Sequence, residues 1–158
     1  MATKLRDFQR QPFYDFHHKV FRSASGELTK EECTALVEDA CRCYGIVAPK
    51  MVYPDGYQAK SSAYYPMERA IKLYEWAQRR YIVWHELAHH IDCMTGYSGV
   101  GHGPKFVGIF AYLMNQYNGY PLHEIHRKLE RHGIKFDKNI PMFVNGNVPN
   151  PALVKSYS

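Results

Sequence analysis

The chain predicts an α+β domain, and three observations carry that prediction. Apolar residues recur at helical spacing from Thr29 to Tyr44, short strand-like runs punctuated by Pro and Gly occupy residues 46–74, and helical periodicity returns from residue 78 to residue 132. The order is therefore helix, small sheet, central helix, loop and further helices. At 158 residues, 46% of them hydrophobic, the chain is long enough to bury a core without disulfide staples.

Each element has a local reason. Residues 1–26 mix basic and aromatic side chains (Phe13, Tyr14, Phe16, Phe21) with no clear period, and read as an N-terminal arm, or short elements, packed on a domain of residues 27–138. Thr29-Lys30-Glu31-Glu32 has the form of a capping box, Leu36, Val37, Ala40 and Tyr44 follow on one helical face, and Gly45 supplies the stop. Ile46-Val47 and Met51-Val52-Tyr53 read as strand, ended by the turn signal Pro54-Asp55-Gly56. Ser62–Tyr65 and Ala70–Tyr74 read as two more strands around a turn at Pro66. A long helix is expected over Gln78–Met94, then a glycine-rich loop from Gly96 to Gly103. Pro104 suits the first turn of a helix reaching Tyr117, and a last helix spans Leu122–His132 before Gly133. Residues 139–158, rich in Pro and Asn, read as an extended tail.

Composition narrows the function classes. No window approaches the roughly 18 apolar residues of a membrane span, and Met1–Arg10 lacks the apolar stretch of a signal peptide. The expectation is a cytoplasmic or otherwise intracellular chain. Cys41 and Cys43 point apart on a helix, and the four cysteines lack the two close pairs of a zinc ribbon, so all four are expected as space-filling thiols. A net charge of +5 keeps nucleic acid among the partners to consider.

The chemistry is concentrated in His85-Glu86-Leu87-Ala88-His89, an H-E-x-x-H pattern. At about 100° per residue, two histidines four apart lie about 40° from each other on one face, one turn apart, where both imidazoles can meet a single Zn²⁺. Glu86 lies to the side of that face, placed to take a proton from water. Val83, Trp84, Leu87, Ala88, Ile91 and Met94 form the opposite apolar arc, so the pair sits at the edge of the core. With 9 His among 158 residues and as many Glu, accidental matches are expected only about 0.03 times.

A hydrolytic site needs a third protein ligand and an open position. His102 fits, since Gly101 and Gly103 let the backbone approach and Pro104 launches the next helix. Asp92, at about −20° on the same helix face, is the competitor, either as a ligand or as the acceptor of an imidazole N–H. His90, at about 140°, points away from the metal. His123, Glu124 and His126 lack the required spacing and read as a solvated face, and nothing favours Glu124 or Glu130 as a distant ligand.

His85-Glu86-Leu87-Ala88-His89-His90-Ile91 followed by Gly101-His102-Gly103-Pro104-Lys105-Phe106 resembles the SprT-like or Spartan family of zincin metallopeptidases. The resemblance covers roughly Ala48 to Leu113. It implies a minimal zincin-like domain, a small sheet packed on an active-site helix with flanking helices. One Zn²⁺ per chain would be held by His85, His89 and His102, and an edge strand, here Ala70, Ile71, Lys72 and Leu73, would receive a protein or peptide substrate in extended form. Eukaryotic members cleave proteins crosslinked to DNA, which gives the positive charge a meaning. The sequence shows no zinc ribbon or DNA-binding module like those of longer members.

The expected function is thus peptide-bond hydrolysis by a zinc-activated water, with Glu86 as general base. Tyr97 and Tyr112 are candidates to hold the oxyanion, with core packing the alternative for each. Two rival readings are a zinc-stabilised module that binds nucleic acid or protein without catalysis, and a zinc amidase with a small substrate. Retention of Glu86 argues against the first, because a structural zinc needs no general base.

Overall fold

The computed structural model describes residues 7–22, 26–55 and 62–155. The described residues form five α-helices and a three-stranded sheet: α1 (Arg10–Phe21), α2 (Lys30–Tyr44), β1 (Lys50–Val52), β2 (Ala63–Tyr65), β3 (Ala70–Lys72), α3 (Arg80–Met94), α4 (Pro104–Asn118) and α5 (Leu122–Arg131). The α+β expectation holds. No helix among the described residues is long and apolar enough to cross a membrane.

Helix α2 begins as its sequence dictates. The Thr29 hydroxyl accepts from the Glu32 N–H while the Glu32 carboxylate accepts from the Thr29 N–H, and Gly45 closes the helix at φ 68°. Pro104 occupies the first turn of α4, and Gly119 ends it at φ 70°.

Residues 10–21 depart from the expected arm. They form a 12-residue helix with Phe13, Phe16, His17 and Phe21 buried. That spacing is helical, but one of its inward positions is a histidine, which breaks the apolar pattern. Phe13 packs edge-on against Phe106 and Phe110 of α4, at ring separations of 5.2 and 5.0 Å. The segment belongs to the core of the domain rather than lying on it.

Helix α3 runs through the centre, packed against α2, α4 and β2. It is more enclosed than an edge helix, with Trp84, Leu87, Ala88 and Ile91 fully buried and Glu86 and Asp92 nearly so. The segment after α5 lies against α4 at Gly108. A Cβ there would strike the carbonyl oxygen of Asp137 and stand 2.7 Å from Ile140 Cγ2, so only glycine lets the segment after α5 return over α4.

The sheet order is β1-β3-β2, with β3 parallel to β1 and antiparallel to β2. The expectation that Ala70–Leu73 forms a free edge is therefore overturned. Ala70, Ile71 and Lys72 are paired on both sides, and the Leu73 N–H continues the ladder to the Val52 carbonyl. Pairing with the strand at Lys50–Val52 fills the side that the sequence left open. Among the described residues the edge strands are β1 and β2 instead. The Pro54-Asp55-Gly56 turn lies partly outside the described residues.

The described part of the tail, expected as extended, turns at Asn145 and Gly146 and forms a short 3-10 helix at Pro151–Leu153, and it is fastened to the domain. Val144 N–H donates to the Cys43 carbonyl, Asn150 N–H to the Asp39 carboxylate and Lys155 N–H to the Tyr117 carbonyl. All four cysteines are free thiols.

Replacing Gly108 by Ala should destabilise the protein by about 1–3 kcal/mol, although alanine is the better helix former by about 1 kcal/mol. A lower urea midpoint with unchanged slope is the expected outcome.

Candidate metal and catalytic site

Helix α3 places His85, Glu86 and His89 on consecutive turns, and the loop after it delivers His102. The ligand-capable atoms of His85, His89 and His102 all lie within 4.8 Å of one another. The positive φ of Gly96 (92°) and Gly99 (84°) allows the loop to reverse towards α3. Phe106, one turn into α4, stacks on the His89 ring at 4.3 Å and stands edge-on to His85 and His102. One aromatic ring thus supports all three imidazoles.

The protonation pattern follows from the outer hydrogen bonds. His102 Nδ1 lies 2.8 Å from the Asp7 carboxylate, which can only accept, so Nδ1 carries the proton. His17 Nδ1 donates to the Tyr14 carbonyl at 2.8 Å. Burial pushes the His17 pKa down to about 3, so the ring is neutral and its Nε2 is an acceptor. His85 Nδ1, 2.9 Å from that atom, must then be the donor. Burial also holds His85 well below its ordinary range, and it lowers His102 despite the opposing effect of Asp7. Both rings are neutral with the proton on Nδ1.

The consequence lies at the other nitrogens. His85 Nε2 and His102 Nε2 face each other at 3.2 Å, and each presents a lone pair. Two lone pairs at that range repel unless a cation sits between them. A tetrahedral ion with bonds of about 2.0–2.1 Å holds its nitrogen ligands about 3.3 Å apart. His89, also held neutral by burial, completes the set. The residues therefore fit a metal ion bound by three imidazoles.

Three of the anchoring residues, Asp7, Gln9 and His17, went unassigned in the sequence. Asp7 accepts from both the backbone N–H and the ring of His102, and Gln9 donates to the His102 carbonyl. His17 orients His85. No spacing rule joins residues 7 and 17 to residues 102 and 85; only the helical period of Phe13, Phe16, His17 and Phe21 could have turned His17 inward.

Asp92 does not meet either expectation set for it. Its carboxylate pairs with Lys105 Nζ at 3.1 Å and accepts from the N–H and hydroxyl of Ser98. Lys105 also donates to the Asp92, Thr95 and Gly96 carbonyls at the end of α3. The pair fastens the loop that carries His102, and Asp92 is not among the groups that meet at the metal position.

His90 is buried and ties the sheet to α3. Its Nε2–H donates to the Val47 carbonyl at 2.8 Å, and Nδ1 accepts from the Tyr64 hydroxyl at 2.9 Å. His123 is exposed, and His126 is partly buried and stacks on Phe136, away from the site. Tyr112 is also removed from it. Its ring packs with Tyr44 and Phe143, and its hydroxyl accepts from the Phe143 N–H, so the oxyanion role considered for it is withdrawn.

A cleft of about 1020 Å³ opens over the site, with Arg10, Tyr14 and His18 of α1 on one side and Ser62–Tyr64 on the other. Glu86, His89, Cys93 and Tyr97 also line it. Burial pushes the Glu86 carboxyl up to about 8, partly offset by the backbone N–H of Tyr64. A carboxylate so placed is a stronger base than one in water.

Comparison of the chain with protein-family models, curated proteins and solved structures finds no match in any of the three.

Two outcomes are expected from this geometry. His17→Phe and Asp7→Ala should each weaken Zn²⁺ binding by about 10–100-fold in a chelator-competition titration, because each frees one imidazole to rotate. Native-state alkylation should modify Cys93 first. It is half-buried and lines the cleft, whereas Cys33, Cys41 and Cys43 are fully enclosed; peptide mapping by mass spectrometry identifies the labelled thiol.

Proposed function

We propose that the chain is a zinc-dependent peptidase of the SprT-like type, with His85, His89 and His102 as ligands and Glu86 as general base. The observation that carries this reading is the convergence of two Nε2 lone pairs at 3.2 Å beside a buried carboxylate that faces an open cleft. Three neutral imidazoles suit zinc and leave a fourth position for water or substrate.

When bound, zinc supplies a Lewis acid that polarises a carbonyl and lowers the pKa of water. The protein's own groups do the rest. Glu86 accepts the proton of the attacking water and returns it to the leaving amine. The Asp7–His102 and His17–His85 hydrogen bonds keep the ligand nitrogens aimed. The outer edge of β2 supports the reading of an extended substrate, because it flanks the cleft and its Tyr64 N–H reaches Glu86 rather than another strand. The substrate edge is thus assigned to Ala63–Tyr65.

Turnover of a denatured protein pool by the zinc-loaded protein tests the proposal, run with and without DNA because of the +5 charge. Glu86→Gln should retain one zinc per chain and lose at least about 100-fold in rate. His102→Ala should lose zinc as well as activity. Zinc retention with no turnover by the wild type in either arm would replace the peptidase reading with a binding module.

A further inference from the structure

The metal ligands and Glu86 leave one requirement of amide hydrolysis unmet. As water adds to the carbonyl carbon, the C=O electron pair moves onto oxygen, and a hydrogen-bond donor aimed at that oxygen stabilises the charge. Tyr14 is suited to this position. Its ring lies 4.9 Å from the His85 ring and 5.4 Å from the His102 ring, above the two imidazoles whose Nε2 atoms face each other. It lines the cleft together with Glu86 and His89.

The Tyr14 hydroxyl has no hydrogen-bond partner among the described residues. Neighbouring phenols are engaged: Tyr64 with His90, Tyr81 with His18, and Tyr117 with Asp39. Across the cleft, the buried Ser62 hydroxyl is likewise without a partner. Two hydroxyl groups therefore border the cleft, the Ser62 hydroxyl buried without a partner and the Tyr14 hydroxyl on a half-buried ring that lines the cleft beside Glu86 and His89. The rest of Tyr14 is held still. Its carbonyl accepts from His17, within the chain of hydrogen bonds that orients His85.

We propose that Tyr14 is a catalytic residue whose hydroxyl donates a hydrogen bond to the scissile carbonyl oxygen as that oxygen becomes an oxyanion. Tyr14 keeps its proton throughout, and no bond to it forms or breaks. The inference rests on the peptidase reading. It assigns to α1 the role that the sequence offered to Tyr97 or Tyr112.

The test uses the full zinc-loaded chain and two probes: a phosphinic peptide, whose tetrahedral oxyanion mimics the intermediate, and an ordinary peptide of the same side chains. Tyr14→Phe keeps the ring and its packing. It should retain one zinc per chain and bind the ordinary peptide as the wild type does, while losing about 100-fold in phosphinate affinity and a similar factor in kcat. Equal phosphinate affinity in wild type and Tyr14→Phe overturns the assignment, as does a loss confined to Tyr97→Phe. Failure of the wild type to bind zinc or the phosphinate overturns the peptidase reading itself, and this inference with it.

Discussion

The arrangement depends on one constraint: the ring protons of His17, His85 and His102 are each placed by a hydrogen bond to a fixed acceptor. The Tyr14 carbonyl fixes His17, neutral His17 fixes His85, and the Asp7 carboxylate fixes His102. These three hydrogen bonds force two unshared electron pairs into a common point. Burial adds to the effect by keeping the rings uncharged. The metal position is thus a product of the surrounding hydrogen bonds as much as of the H-E-x-x-H spacing.

The same economy governs the loop that brings His102. Its reach is set by glycines at positive φ, and its hold is set by Lys105, which gathers three carbonyls at the end of α3 and the Asp92 carboxylate. An acidic residue on the metal-facing side of the helix serves the loop rather than the ion. Helical angle alone could not separate those outcomes, because it locates a side chain on one cylinder and is blind to the cation arriving from the next element.

Local signals made much of the fold legible. The capping box at Thr29, the stop at Gly45, the strands on either side of Pro66 and the start of α4 at Pro104 all stand where the sequence puts them. Contacts between distant segments were not legible. Strand order is one example, since nothing in Ala70–Lys72 announces pairing on both sides. The N-terminal helix is another, because its inward histidine belongs to the site and so disguises the apolar period. Sequence patterns give the three converging imidazoles; the groups that aim two of them come from 68 and 95 residues away.

That separation bears on how the protein is made. Residues 7–22 leave the ribosome before all the surfaces they pack against, from His85 and the Phe106–Phe110 stretch of α4 to His132 and Lys135. Contacts spanning so much chain close slowly. Helix α1 must wait with its apolar side uncovered until most of the domain has emerged, and the three-histidine cluster cannot assemble on a nascent chain that stops before His102.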